Sequence, residues 1–229
     1  GSINHQKNHM ATLQAFAAAA QDMPQARLVI LGPVYEPAIL QDLNELIDAH
    51  GLKRQVIYAG GADSAQPFYA MADALVISSF FEGGPLTLLE GIAANLSIIA
   101  TEVGIAVHFK GTPGIELVAP AFDIVKYRGG ITEMTFDQGL VKRLRNAMRH
   151  AYRDRHRPNL PAATVASFDK ANTYACYLDL VAHLLAGGEW RSFRCRESWP
   201  AQVSQDRPER SAPEQSVVSP VRRDVERWS

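Results

Sequence analysis

The sequence predicts an α/β fold: a doubly wound parallel sheet, then C-terminal helices and a disordered tail. Three observations predict it. Short apolar runs of strand length alternate with stretches of helical period. Those runs are continuously apolar, as strands covered on both faces require. Three of them lead into glycine turns at Gly32-Pro33, Gly60-Gly61 and Ser78–Gly84. Ligands of such sheets bind in the crevice outside the carboxyl ends of the strands, so these three turns form the expected binding rim.

In chain order, Met10–Ala20 reads as an alanine-rich helix with Leu13, Phe16 and Ala20 on one face. Arg27–Leu31 is a buried strand, and Ile39–Ala49 is a helix with Gly51 as its C-terminal cap. Gln55–Ala59 is a strand, Pro67–Met71 a short helix and Ala74–Ser78 a strand. A helix follows Pro85, then strands at Ser97–Ala100 and Gly114–Val118. Two long helices close the domain. Gln138–Asp154 carries Lys142, Arg143, Arg145, Arg149 and Arg153 as a solvated face; Thr164–Leu185 is expected to pack its apolar stripe on the domain. The domain thus spans 1–186. Residues 187–229, rich in Pro, Arg, Ser and Glu, form a tail unable to bury enough surface to order itself.

Bulk properties exclude several classes. A net charge of −1 over 229 residues gives no reason to expect nucleic acid as a partner. Only Cys176 and Cys195 are present, which argues against a structural zinc or a disulfide framework and for a reducing, cytoplasmic setting. No apolar run approaches the roughly 18 residues that a membrane helix needs. The chain opens on Gly1 rather than Met: either Gly1-Ser2 is foreign to the native protein, or the chain is a piece of a longer polypeptide.

The segment Ser79-Phe80-Phe81-Glu82-Gly83-Gly84-Pro85-Leu86-Thr87-Leu88-Leu89-Glu90-Gly91 is the candidate site. It joins a strand to a helix through a glycine turn, presenting free backbone N–H groups and the positive end of a helix dipole to an anion. Glu90 lies within the helix among apolar neighbours, where a carboxylate needs a polar partner. One reading makes Glu82 a loop charge and Glu90 part of a wet helix face. The other makes the pair a clamp on a polyhydroxylated, phosphate-bearing ligand.

Lys7-Asn8, Arg27–Gly32, Val56–Gly60 and Tyr69–Ala74, then Ser79–Pro85, Leu88–Ala93 and Ile98–Gly104, together resemble the donor-binding lobe of retaining GT-B glycosyltransferases of the group 1, or family 4, type. The resemblance covers about four fifths of the chain. It implies a Rossmann-like lobe that binds a nucleoside-diphosphate sugar and requires no metal or other cofactor. It assigns the sugar hydroxyls to Glu82, both ribose hydroxyls to Glu90, and the departing diphosphate to Lys7. Gly83, Gly84, Pro85 and Leu86 would lie against the diphosphate or sugar, with the base at Gly32, Pro33 and Gly60. The acceptor (a glycan, lipid or small molecule) would bind a separate N-terminal lobe, and the enzyme would sit in the cytoplasm or peripherally on the inner face of a membrane.

Two departures stand out. The family usually carries an arginine five positions before its lysine, where this chain has Ser2; after Gly104 it usually has a glycine-rich turn, where this chain has Ile105–Lys110, with His108 read as structural. Two alternatives follow: a degenerate nucleotide-sugar-binding module or scaffold without turnover, and an unrelated doubly wound enzyme such as a nucleotide-sugar epimerase.

Overall fold

A computed structural model describes residues 1–120, 122–124, 134–154, 157–160, 169–189 and 192. Its elements are α1 (His9–Ala19), β1 (Leu28–Leu31), α2 (Pro37–Ala49), β2 (Val56–Gly60), α3 (Gln66–Met71), β3 (Ala74–Ile77), α4 (Leu86–Ala93), β4 (Ser97–Thr101), β5 (Ile115–Val118), β6 (Phe122–Ile124), β7 (Met134–Phe136), α5 (Gln138–Asp154) and α6 (Lys170–Leu185). A 3-10 turn at His5–Lys7 precedes α1, and another spans Gly104–Phe109. Local chemistry accounts for several ends. Asn8 adopts φ 50° and caps α1 by accepting from Ala11 N–H. Pro37 opens α2, where a missing N–H costs nothing.

The predicted βα alternation is present and every strand from β1 to β5 runs parallel to its partner, β1 with β2 and β3 with β4 with β5. The sheet is divided, however: β1 and β3 do not pair with one another. The N-terminal segment spans the division. Ile3 N–H donates to Pro33 O at 2.8 Å, just beyond β1, and Phe80 N–H donates to Gln6 O at 2.9 Å, just beyond β3. An antiparallel β6–β7 pair completes the described strands.

Strand pleating sorts the core into two layers, because successive side chains point to opposite faces. Ile99 and Val118 pack with Leu13 and Phe16 of α1 and Leu140 and Leu144 of α5. Ile98, Ala100 and Ile115 pack on the other face with Leu88 and Ile92 of α4. Gly91 lets α4 approach closely, since a Cβ there would come within 2.6 Å of Leu75 Cδ2 and 2.8 Å of Ile98 Cδ1. That contact sets the depth at which the neighbouring Glu90 is presented.

Three expectations need correction. α6 leaves its apolar stripe bare of the described residues: Leu178 and Leu185 are 70 % and 85 % exposed. Helical period reports that a face is apolar, not what covers it. The α5 face is not simply solvated either, because Arg149 pairs with Asp22 at 3.4 Å and Arg143 Nε donates to Ala119 O at 3.2 Å. Cys176 is disulfide-bonded rather than a free thiol; Cys195 lies outside the described residues. So do Thr164–Phe168 and, apart from 187–189 and 192, the tail at 187–229. Among the described residues no helix is long and apolar enough to cross a membrane.

Candidate functional site

The turn between β3 and α4 is held from three sides. Ser78 Oγ, at the end of β3, reaches the carbonyls of Lys7 (3.0 Å) and Asn8 (2.9 Å) and accepts from Thr12 Oγ1 at 2.6 Å. Gln6 Nε2 donates to Phe81 O at 3.0 Å. From the opposite side Ile105 N–H donates to Gly83 O at 3.0 Å. Gly104 makes that approach possible: its φ is +58°, and a Cβ there would overlap the carbonyls of Glu82 and Gly83.

These ties bring Lys7 and Glu82, 75 positions apart in sequence, into contact. Glu82 Oε1 accepts from Lys7 Nζ at 2.6 Å and from Ser79 Oγ at 2.7 Å. The Glu82 side chain is 8 % exposed and that of Lys7 23 %, so the carboxylate is desolvated and depends on those donors. No described residue meets Oε2. This corner is a part-buried, neutralised ion pair with one acceptor oxygen to spare among the described residues.

Glu90 is the opposite case. It is exposed on α4, and its Oε2 accepts from the Tyr69 hydroxyl of α3 at 2.8 Å. Burial, then the hydrogen bond and charge of Glu90, push the Tyr69 phenol far above its ordinary range. Both side chains line an open cleft of about 580 Å³, together with Gly32, Pro33, Asp63 and Thr87. Tyr58 donates to Gly32 O at 3.0 Å, which fixes the loop after β1 at the floor of this region.

Between the two carboxylates stands the N-terminus of α4. Its N-cap is Pro85, no side chain caps it, and its first turn holds no acidic residue. Leu88 N–H donates to Pro85 O at 3.0 Å, and no side chain caps the first N–H groups of the helix, Leu86 and Thr87, as an anion site requires.

The predicted residues therefore fall into three groups. Lys7 and Glu82 form the part-buried pair, while Gly32, Pro33 and Glu90 line the cleft. Gly60, Gly83, Gly84, Pro85 and Leu86 are not among the lining residues. Of these, Gly60 O accepts from Gly32 N–H at 2.8 Å and Gly83 O is bonded to Ile105, which are scaffold contacts. Ser2 lines the cleft. Local sequence pattern assigns no individual role to Tyr69, Ser79, Thr87, Asp63 or Gly104. For Tyr69 the available signal is its place in the Tyr69–Ala74 segment that carries the resemblance.

Comparisons with known proteins agree with this architecture. The model of the family described as glycosyl transferases group 1 matches residues 1–151. An uncharacterized glycosyltransferase, MJ1059 of Methanocaldococcus jannaschii, is 29 % identical over 102 residues, covering 44 % of this chain and 24 % of that protein. The chain thus spans about a quarter of this curated relative. Among solved structures, Anabaena HepE in complex with UDP and glucose superposes with a TM-score of 0.55 at 17 % identity, covering 69 % of this chain and 38 % of that one. WaaG, a glycosyltransferase involved in lipopolysaccharide biosynthesis, gives 0.54 at 20 % identity, covering 82 % and 46 %.

Proposed function

The chain belongs to the glycosyl transferases group 1 family, and from that premise we propose that it is the donor-binding lobe of a retaining glycosyltransferase. It holds a nucleoside-diphosphate sugar while an N-terminal lobe supplies the acceptor. One observation carries the reading: two carboxylates flank the uncapped start of α4, Glu82 beside Lys7 and Glu90 on the cleft. Glu90 takes the ribose hydroxyls, the first N–H groups of α4 take the diphosphate, and Glu82 takes the sugar hydroxyls.

The Lys7–Glu82 pair gives this arrangement a working order. Without a ligand, Lys7 neutralises Glu82. An arriving diphosphate competes for the ammonium, and as Lys7 turns toward it, Glu82 Oε1 becomes available to sugar hydroxyls. Cation and diphosphate then stay together while the glycosidic bond breaks and negative charge grows on the leaving group. The acceptor proton passes to the departing phosphate, so no side chain of this lobe is assigned as general base.

Calorimetric titration with UDP, ADP and GDP tests donor binding, with UDP first because HepE was solved with it. At least one should bind, and Glu90→Ala should weaken it by about 1.5–3 kcal/mol, the range for hydrogen bonds to a charged group. A folded sample that binds none of the three, or one indifferent to Glu90→Ala, overturns the reading. The second reading, a binding module without turnover, is favoured by Ser2 in the cleft, where an arginine would add a second cation. Binding without release of sugar from any donor by the longer polypeptide would select it.

A further inference from the structure

We infer that Tyr69 is a positioning residue that orients Glu90 toward a vicinal diol and makes the cleft selective for ribonucleotides over 2′-deoxyribonucleotides. The inference rests on the donor reading above and adds a residue to it.

An exposed glutamate is a poor recogniser of two adjacent hydroxyls unless something holds it. Its terminal torsion is broad, its two oxygens exchange by rotation, and fixing such a side chain costs entropy at the moment of binding. Glu90 is exposed and has one protein donor among the described residues, the phenol of Tyr69 at 2.8 Å on Oε2. That bond assigns the oxygens. Oε2 faces α3, and Oε1 is left with its lone pairs for a ligand. A phenol is protonated across the neutral range in any case, and burial and Glu90 only push its pKa further up, so the donor is constant.

The two helices that carry the pair are themselves tied together. The Arg157 guanidinium donates to Ala70 O at 2.8 Å, at the end of α3, and to Ala94 O at 2.9 Å, at the end of α4. Tyr69 and Glu90 thus meet across two helices with a shared clamp at their C-terminal ends, and the 2.8 Å bond does not depend on the flexibility of a loop. Pre-ordering of this kind raises affinity by lowering the ordering cost, and raises it only for a ligand that offers hydroxyls to the ordered group.

The test measures UDP, ADP and GDP beside their 2′-deoxy counterparts by calorimetry, on the wild-type chain, Tyr69→Phe, Glu90→Gln and the double variant. Wild type should prefer the ribonucleotide by about tenfold, the value of one hydrogen bond to a charged acceptor. Tyr69→Phe should lower ribonucleotide affinity about fivefold, leave the deoxy form nearly unchanged, and so bring the preference toward one, with no change in melting temperature. In the Glu90→Gln background, Tyr69→Phe should add little. Equal weakening of both nucleotides by Tyr69→Phe, or an unchanged ratio, overturns the inference while a collapsed ratio in Glu90→Gln leaves the donor reading standing. If wild type binds no ribonucleotide, the donor reading falls and this inference with it.

Discussion

The corners at Glu82 and Glu90 carry the same functional group on the same strand–turn–helix unit and solve opposite problems. Glu82 is desolvated, meets a lysine and a serine on one oxygen, and forms a closed ion pair in the absence of ligand. Among the described residues, exposed Glu90 meets only the neutral phenol of Tyr69. A ligand at the Glu82 corner must replace an interaction already made, whereas a ligand at Glu90 adds to one. Exchange gives selectivity for ligands that bring their own charge, such as a diphosphate; addition gives orientation with little charge requirement. The difference predicts that the two corners respond to different perturbations.

The largest expected effect comes from Gly104, which touches the Glu82 corner alone. Gly104→Ala places a methyl group against the Glu82 and Gly83 carbonyls in a left-handed backbone conformation. Strain and overlap together should cost about 2–4 kcal/mol of stability, read by denaturant unfolding. In the surviving folded fraction, binding of plain UDP at the Glu90 end should persist while any added affinity for UDP-sugar over UDP disappears. Equal loss of both would show that the corners are one unit and break the comparison.

A smaller and cleaner separation comes from Lys7. Lys7→Ala should weaken UDP by about 1.5–2 kcal/mol through the lost charge-assisted contact, and leave uridine, which has no phosphate, unchanged. Glu90→Ala should weaken uridine and UDP alike. Calorimetry of both ligands on both variants provides the four numbers. If Lys7→Ala weakens uridine as much as UDP, the lysine is structural and the division of labour fails.

The legibility of these features in the sequence follows their range. Elements β1 to β5 are visible as apolar runs, and the Glu82–Glu90 spacing within strand–turn–helix is a local pattern. Asn8 and Pro37 are end signals readable from their own neighbours. Contacts between distant positions are not readable in this way. The Lys7–Glu82 pair spans 75 positions and the Tyr69–Glu90 bond 21, and neither residue type announces its partner. The exposed Leu178 and Leu185 of α6 show the same limit from the other side, because period 3.6 reports an apolar face and not what covers it. The β6 and β7 strands are three residues each, shorter than any window in which alternation can be recognised. The division between β1 and β3 also escapes a reading based on apolar runs, since hydrophobicity marks strands without stating which ones pair.

The smallest effect concerns acid, and it falls on one corner. His9 follows Lys7-Asn8 at the start of α1, with its ring Nε2 3.0 Å from Ser2 O. Its pKa is lowered from 6.5, by burial first, against the raising effect of the Ser2 carbonyl, with the amino terminus and Lys7 lowering it further. The sign follows from proton counting. A histidine with a depressed folded pKa binds fewer protons folded than unfolded, so its contribution is fully present above pH 6.5. It is lost progressively as pH falls below 6.5 toward the folded value. The slope cannot exceed one proton, about 1.4 kcal/mol per pH unit. His9→Gln should flatten unfolding free energy against pH in that window and leave it unchanged at pH 8 apart from a constant offset. Because protonated His9 adds positive charge beside Lys7, the same acid range should disturb the Lys7–Glu82 pair before it reaches Tyr69 and Glu90. UDP binding should therefore respond to this acid range while uridine binding does not; a parallel response of the two would place the acid effect outside the Glu82 corner.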